Sequence, residues 1–289
     1  MASALERLVD VLSLEPIEVN IFRGMSPDDD RQRVFGGQVA GQALMAGART
    51  LDNVERQLHS LHSYFLRPGD PTVPILYEVD RIRDGRSFTT RRVVAVQHGR
   101  AIFNMAASWH VREESFDHQD PMPAAPDPET LPTWQERWAP WKEALGEWYA
   151  QPRPVDSRYV DTPPQPGRTE PMPPHQQVWL RADGDLPDDP NIHACIVVWA
   201  SDMTLLDTSV LPHGGLYNMN ELFMASLDHA MWFHRPFRAD DWLLYDQHSP
   251  SASGGRGFAW GHIFTRSGEL AVSVVQEGLL RLVPGGATG

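Results

Sequence analysis

The chain has 289 residues, 41% hydrophobic and 22% charged, with 25 Lys and Arg against 38 Asp and Glu for a net charge of −13. This is a globular composition, long enough for two domains or for two halves of one. The acidity argues against nucleic acid and anionic membrane surfaces as partners, while local arginines leave small anionic ligands open.

At the N-terminus, Leu5, Leu8, Val9 and Leu12 recur at helical spacing among Glu6 and Asp10, which predicts an amphipathic helix rather than an export signal. The longest uninterrupted apolar run, ACIVVWA over 194–200, is far shorter than the roughly 20 residues of a membrane-spanning helix. The expectation is therefore a cytoplasmic chain without a membrane span. Next, FGGQVAGQALMAGARTL predicts a helix whose small residues Gly37, Ala40, Gly41, Ala43 and Gly47 press closely on a sheet. It has neither GxGxxG nor a following Gly-Lys-Ser/Thr, so it is not read as a phosphate cradle. Four strand-like runs follow: SLHSYFLR, ILYEVDRIRDG, SFTTRRVVAVQHG and AIFNMAASWHV.

Residues 116–175 break this pattern. Of the 25 prolines, 14 lie between Pro121 and Pro174, which predicts a connector rather than a core. Within it Trp134, Trp138 and Trp141 predict a short helix that packs an aromatic face onto one half, despite Pro140. Beyond the connector, HACIVVWASDMTLLDTSV is apolar nearly all round and predicts a buried helix. It holds the single cysteine, Cys195, read as a packing residue rather than a nucleophile. FMASLDHAMWFHRP, WLLYDQHS, RGFAWGHIFTRSG and ELAVSVVQEGLLRL then read as strands. The 12 histidines form no CxxC- or HExxH-type arrangement, and His59 with His62 lacks a third ligand, so neither metal nor cofactor is expected.

The two flanks superpose as sequences. Tyr64/Trp232, Phe65/Phe233, Arg67/Arg235, Pro68/Pro236 and Tyr77/Tyr245 pair at an offset of 168. Gly85/Gly255, Arg86/Arg256 and Phe88/Phe258 pair at 170, as after a two-residue insertion. The chain is an internal duplication of one long helix followed by a meander of antiparallel strands. Pro68 and Pro236 are expected to end regular pairing, and Arg67 and Arg235 are read as partners in structural ion pairs in preference to ligands of phosphate.

The ordered motifs FRGMSPDDDRQRVFGGQVAGQAL, LHSYFLRPGD, QVWLRADGDLPDD, WASDM, DHAMWFHRPF and VQEGLLR resemble the acyl-CoA thioesterase II family over nearly everything outside the connector. The resemblance implies an α+β chain of two tandem hotdog folds, each a long helix wrapped by an antiparallel sheet. The first would span residues 1–115 and the second 176–286, with 116–175 between them. It also implies an acyl-CoA substrate, a homo-oligomer of dimeric or larger size, and a hydrolytic centre of an Asp on the second helix, a Ser or Thr on the next strand and a Gln on the last. Those positions hold Asp202, Ser226 and Gln276.

The chemistry is sufficient in itself. A thioester carbonyl is electrophilic enough for water activated by a carboxylate and positioned by hydroxyl and amide groups, with no covalent intermediate. An Asp in an apolar helix is costly unless paired or used, which favours function for Asp202. Ser226 as packing and Gln276 as a strand hydrogen-bonding group are competing readings, and Asp228 and His229 are read as supporting groups. The first half places Ala107 opposite Gln276 (offset 169) and Leu58 opposite Ser226 (offset 168), so it is expected to lack a competent site. Two rivals stand: a hotdog enoyl-CoA hydratase using Asp188 and His193, and a non-catalytic acyl-CoA binding module.

Overall fold

The computed structural model describes residues 2–27, 32–52, 55–161, 170–214 and 222–283. Residues 28–31 of the FRGMSPDDDRQRV run, 162–169 of the connector and the last residues of the second unit lie outside the described residues.

Helix α1 (Ala4–Leu12) starts at a capping box in which Ser3 and Glu6 satisfy each other's backbone amides, and it buries Leu5, Leu8 and Leu12. Short strands β1 (Glu15–Glu18) and β2 (Ile21–Gly24) lead to helix α2 (Gly36–Ala48). The meander β3 (Arg56–Phe65), β4 (Ile75–Asp84), β5 (Phe88–Gln97) and β6 (Arg100–Val111) completes the first half. After the short helices α3 (Trp134–Trp138), α4 (Lys142–Leu145) and α5 (Glu147–Ala150) come β7 (Val155–Tyr159), β8 (His175–Ala182) and helix α6 (Pro190–Ser201). Strands β9 (Leu222–Ser226), β10 (Asp228–Phe233), β11 (Leu243–Ser253), β12 (Arg256–Thr265) and β13 (Leu270–Leu282) close the chain.

Among the described residues these strands form one sheet in the order β1-β2-β4-β5-β6-β3-β10-β13-β12-β11-β8-β7, with β9 on β13. The halves join edge to edge where β3 pairs antiparallel with β10. There Ala230 faces His62, its own counterpart at the offset of 168, so a pseudo-twofold axis passes through that pair. Each half thereby covers the strand edge that the other would leave open.

Registers correct part of the sequence alignment. Tyr77 faces Ala95 and Tyr245 faces Ile263, and further along Asp84 faces Thr89 and Ala252 faces Gly257, so the offset stays at 168 with no two-residue insertion. Gly254 and Gly255, with φ of 57° and 75°, form the two-residue turn of the second hairpin. The first hairpin turns through Arg86 and Ser87, so matching Gly85 to Gly255 followed turn composition and not position. On the last strands the offset is 169: His62 faces Ala106 while Ala230 faces Val275. Ala107 is therefore the counterpart of Gln276.

Helices α2 and α6 lie antiparallel in the concavity of the sheet. A Cβ on Gly37 would stand 2.5 Å from the Trp199 carbonyl oxygen and one on Gly41 3.3 Å from that of Cys195. Gly37 and Gly41 thus let α2 approach α6, while Gly36 and Gly47 meet the sheet, against Phe65 and Trp109. Helix α6 also stops earlier than its apolar run suggests. Asp202 is its C-cap, and 3-10 turns at Leu206–Ser209 and Leu211–His213 follow. The whole run Pro190–His213 is long and apolar enough to cross a bilayer by length and composition, but 78% of its most apolar window is buried inside the fold.

The connector is not wholly outside the core. Val155–Tyr159, inside the span expected to be connector, is an edge strand on β8, and Val155, Tyr159, Trp134 and Trp138 are buried in the main core. Its proline content masked a five-residue strand that needs partners on one side only.

Candidate active site

Ser226 reaches the concave face through a β-bulge. On β10 it is His229 and Met231 that point inward, and strict alternation would leave Ser226 facing outward with Asp228 and Ala230. The register against β13 shifts by one residue at Leu227, from Ser226↔Gly278 to Ala230↔Val275, and that extra residue turns the Ser226 hydroxyl inward. Asp228 holds the bulge, its Oδ1 accepting from the Glu277 amide at 2.6 Å. Gln276 is fully buried on β13. Beside it Gly278 leaves room for Leu206, whose Cδ2 would lie 2.3 Å from a Cβ there. This lets the turn after α6 settle on the sheet.

The three residues meet. Ser226 Oγ donates to Asp202 Oδ1 at 2.8 Å, and Gln276 Nε2 lies 2.5 Å from the same oxygen and 2.9 Å from Ser226 Oγ. The first turn of α2 closes the other side: a Cβ on Gly36 would lie 2.7 Å from Asp202 Oδ2, and the Gly37 backbone hydrogen-bonds the carboxylate. Burial pushes the Asp202 pKa up to about 6, against the stabilising hydrogen bonds of Ser226, Gln276 and Gly37. A carboxylate so placed is a base near neutral pH, and the positive end of the α2 dipole faces it.

Asp202 and Ser226 open on a cavity of about 510 Å³ lined from both halves, by Arg33, Phe35, Phe65 and Arg67 of the first and Asp207 and Phe223 of the second. Asp207 was not singled out from the sequence. It sits in the 3-10 turn after α6, and burial together with the charge of Asp202 raises its pKa to about 7. Its only sequence signal is a second acid five residues beyond Asp202 in an apolar run.

A smaller cavity of about 160 Å³ is the pseudo-twofold counterpart, lined by Leu58, His59, Pro190, Phe233 and Arg235 among others. Leu58 stands there for Ser226, Ala107 for Gln276, and the C-cap of α2 is Arg49 where that of α6 is Asp202. Among the described residues no carboxylate lines this site. The two arginines of the repeated string also differ. Arg235 is ion-paired with Asp117, as expected, whereas Arg67 donates to the Ala101 carbonyl at 2.5 Å and lines the larger cavity.

His229 is buried and neutral, its Nε2 2.8 Å from Ser201 Oγ and its pKa lowered to about 4 by burial. Asp188 and His193 do not form an acid-base pair. Asp188 is 99% exposed and bridges to Arg238 at 3.0 Å, while buried His193 accepts the Ala239 amide on Nδ1 at 3.0 Å.

Comparison with known proteins agrees over nearly all of the chain. The family model for acyl-CoA thioesterase matches residues 155–279, and that for the acyl-CoA thioesterase N-terminal domain matches residues 26–110. Acyl-coenzyme A thioesterase 8 of Mus musculus is 42% identical over 96% of this chain and 89% of its own length. Acyl-CoA thioesterase 2 of Haemophilus influenzae is 38% identical over 97% and 99%. The crystal structure of an acyl-CoA thioesterase II from Mycobacterium marinum superposes with a TM-score of 0.79 at 48% identity, covering 96% of this chain and 99% of that one.

Proposed function

The chain belongs to the acyl-CoA thioesterase family, and from that membership we propose that it hydrolyses the thioester of acyl-CoA to a free acid and CoA with water activated by Asp202. The observation that carries the assignment of the base is the convergence of Ser226 and Gln276 on one oxygen of Asp202 at the wall of a cavity. Asp202 takes a proton from water as its oxygen bonds to the thioester carbon. Collapse of the tetrahedral intermediate breaks the C–S bond, and the CoA thiolate recovers the proton. Ser226 and Gln276 fix the carboxylate and the water beside it. The first turn of α2 presents its positive dipole end to the negative charge as it moves from carboxylate to oxyanion.

Arg33 and Arg67 supply positive charge at this cavity and are proposed to meet CoA phosphates, a local exception in a chain of net charge −13. The cavity draws on both halves, so the first half shapes the substrate channel while the second carries the base. Self-association is proposed as well. Its support is the exposed aromatic pair at the junction of the halves, Tyr64 at 59% and Trp232 at 36% exposure.

The test is a panel of acyl-CoAs incubated with the protein and a thiol reagent. Thiol release abolished by Asp202→Asn supports the proposal. Hydration of an enoyl-CoA without thiol release would make the chain a hydratase, and binding without either reaction would make it a carrier.

A further inference from the structure

On the convex face of the sheet, opposite the helices and the catalytic cavity, β8, β11 and β12 present a second polar cluster. His175 lies directly across from His248, and Asp246 lies between Gln177 on one side and His262 on the other. Residues two apart on a strand share a face, so His248 and Asp246 stand side by side. Both imidazoles turn Nε2 toward the same carboxylate, His175 at 2.8 Å from Oδ1 and His248 at 3.0 Å from Oδ2. The three donor atoms lie within 4.8 Å of one another.

We propose that His175, Asp246 and His248 form a binding site for a divalent transition-metal ion of the zinc class, stapling β8 to β11. Two imidazole nitrogens and one carboxylate oxygen converging from one side, with water as fourth ligand, is the donor set of open tetrahedral zinc sites and suits borderline cations better than Mg²⁺ or Ca²⁺, which prefer all-oxygen shells. The surroundings are those of a held ligand set. Gln177 Nε2 donates to Asp246 Oδ1 at 2.9 Å, orienting the carboxylate from outside the triad. The His248 ring is stacked on Trp260 at 4.5 Å, which fixes its rotamer. The His175 and His248 side chains are each 36% exposed, so an ion can enter and a water can complete its shell.

Binding needs no redox step. In the neutral rings the proton on each Nε2 relocates to Nδ1 through solvent, leaving Nε2 to coordinate, and Asp246 is already ionised. The two imidazole centroids lie 4.4 Å apart beside the one carboxylate. Affinity falls as the pH drops, because protonated rings cannot ligate.

The experiment uses the full chain, free of affinity tag and stripped with chelator, titrated calorimetrically with zinc chloride. One zinc per chain is expected, uncompeted by excess Mg²⁺ or Ca²⁺, together with a rise in melting temperature. His175→Ala and His248→Ala should each weaken zinc by at least ~10-fold, the minimum seen even for groups outside the ligand set. Asp202→Asn should keep the stoichiometry, which separates this site from the catalytic carboxylates. Cobalt(II) added to the unaltered chain should give a visible ligand-field band that zinc abolishes, a readout independent of whether the variants fold. Absence of saturable zinc binding, unchanged binding in both histidine variants, or no cobalt band would overturn the proposal and leave the triad a hydrogen-bonded cluster.

Discussion

Gln276 Nε2 stands 2.5 Å from Asp202 Oδ1, and the two residues reach each other from the last strand and from the end of the buried helix, 74 positions apart in the chain. The contact ties the C-cap of α6 to the sheet. Ser226 joins the same oxygen, so one carboxylate oxygen is held by two donors while the other faces the first turn of α2.

Asp202→Asn should therefore remove thioester hydrolysis while leaving acyl-CoA binding intact, because Asn keeps the volume and most hydrogen bonds but cannot take a proton. The expected loss in kcat is on the order of 100- to 10,000-fold. Ser226→Ala and Gln276→Ala should cost less, and the double variant Asp202→Asn/Gln276→Ala should be little worse than Asp202→Asn alone. The counterpart cavity has Leu58 in the place of Ser226 and no carboxylate among its described lining residues, so no second site should sustain turnover. Half of the original rate surviving in Asp202→Asn would mean that it does.

The pH profile follows from the same residue. Asp202 must be ionised to act, and burial places its pKa at about 6. The value of kcat/KM should thus rise tenfold per pH unit below that point and level off above it. Asp207 titrates at about 7 in the same cavity, its proton held by burial and by the charge of Asp202. Asp207 therefore still carries its proton while Asp202 ionises and adds no charge to it, so Asp207→Asn should leave the acid limb at about 6. A limb moved to lower pH in Asp207→Asn would mean that Asp207 ionises before Asp202.

Arg67→Ala should raise KM for acyl-CoA and leave kcat nearly unchanged. Loss of a charge-assisted hydrogen bond worth about 1.5–3 kcal/mol corresponds to a rise on the order of 10- to 100-fold. The effect should shrink at high salt and vanish with a pantetheine thioester, which lacks the nucleotide phosphates. An equal penalty on the pantetheine substrate would assign Arg67 to the acyl or pantetheine arm.

Much of this was legible in the residues because duplication repeats whatever packing demands. Tyr77 and Tyr245, both fully buried, hold the same place in the two sheets, and the aromatic-Phe-x-Arg-Pro string marks the strands that join at the pseudo-twofold axis. What stayed hidden depends on geometry that composition does not carry. Leu227 looks like any strand residue, yet the bulge there is what turns Ser226 toward Asp202. Strand β7 lay under a proline-rich signal. The small residues of α2 announced a close approach, but not that the neighbour would be α6. His175 and Asp246 are 71 residues apart and meet only through sheet register.

The stability of Asp202→Asn provides the last test, and its sign is opposite to that of its activity. The ordinary carboxyl value of 3.8 applies to the unfolded chain, whereas in the folded chain Asp202 titrates at about 6. Between these values the folded state binds more protons than the unfolded one, so the stability contributed by this group is full at low pH and falls as the pH rises through the window. Above about 6 the whole difference of about 2 units is lost, equivalent to at most about 3 kcal/mol at 1.36 kcal/mol per unit. Asn has no charge to bury and retains an oxygen for Ser226 and Gln276, so it escapes this cost but forgoes the stronger hydrogen bonds of a carboxylate. The variant should consequently be more stable than the original chain by about 1–3 kcal/mol near pH ~7.5, with the difference shrinking toward zero near pH ~4. Urea denaturation followed by tryptophan fluorescence at the two pH values measures it. A variant that is less stable at the higher pH would mean that Asp202 gains more from its donors than burial takes, and the raised pKa on which the pH profile depends would fall with it.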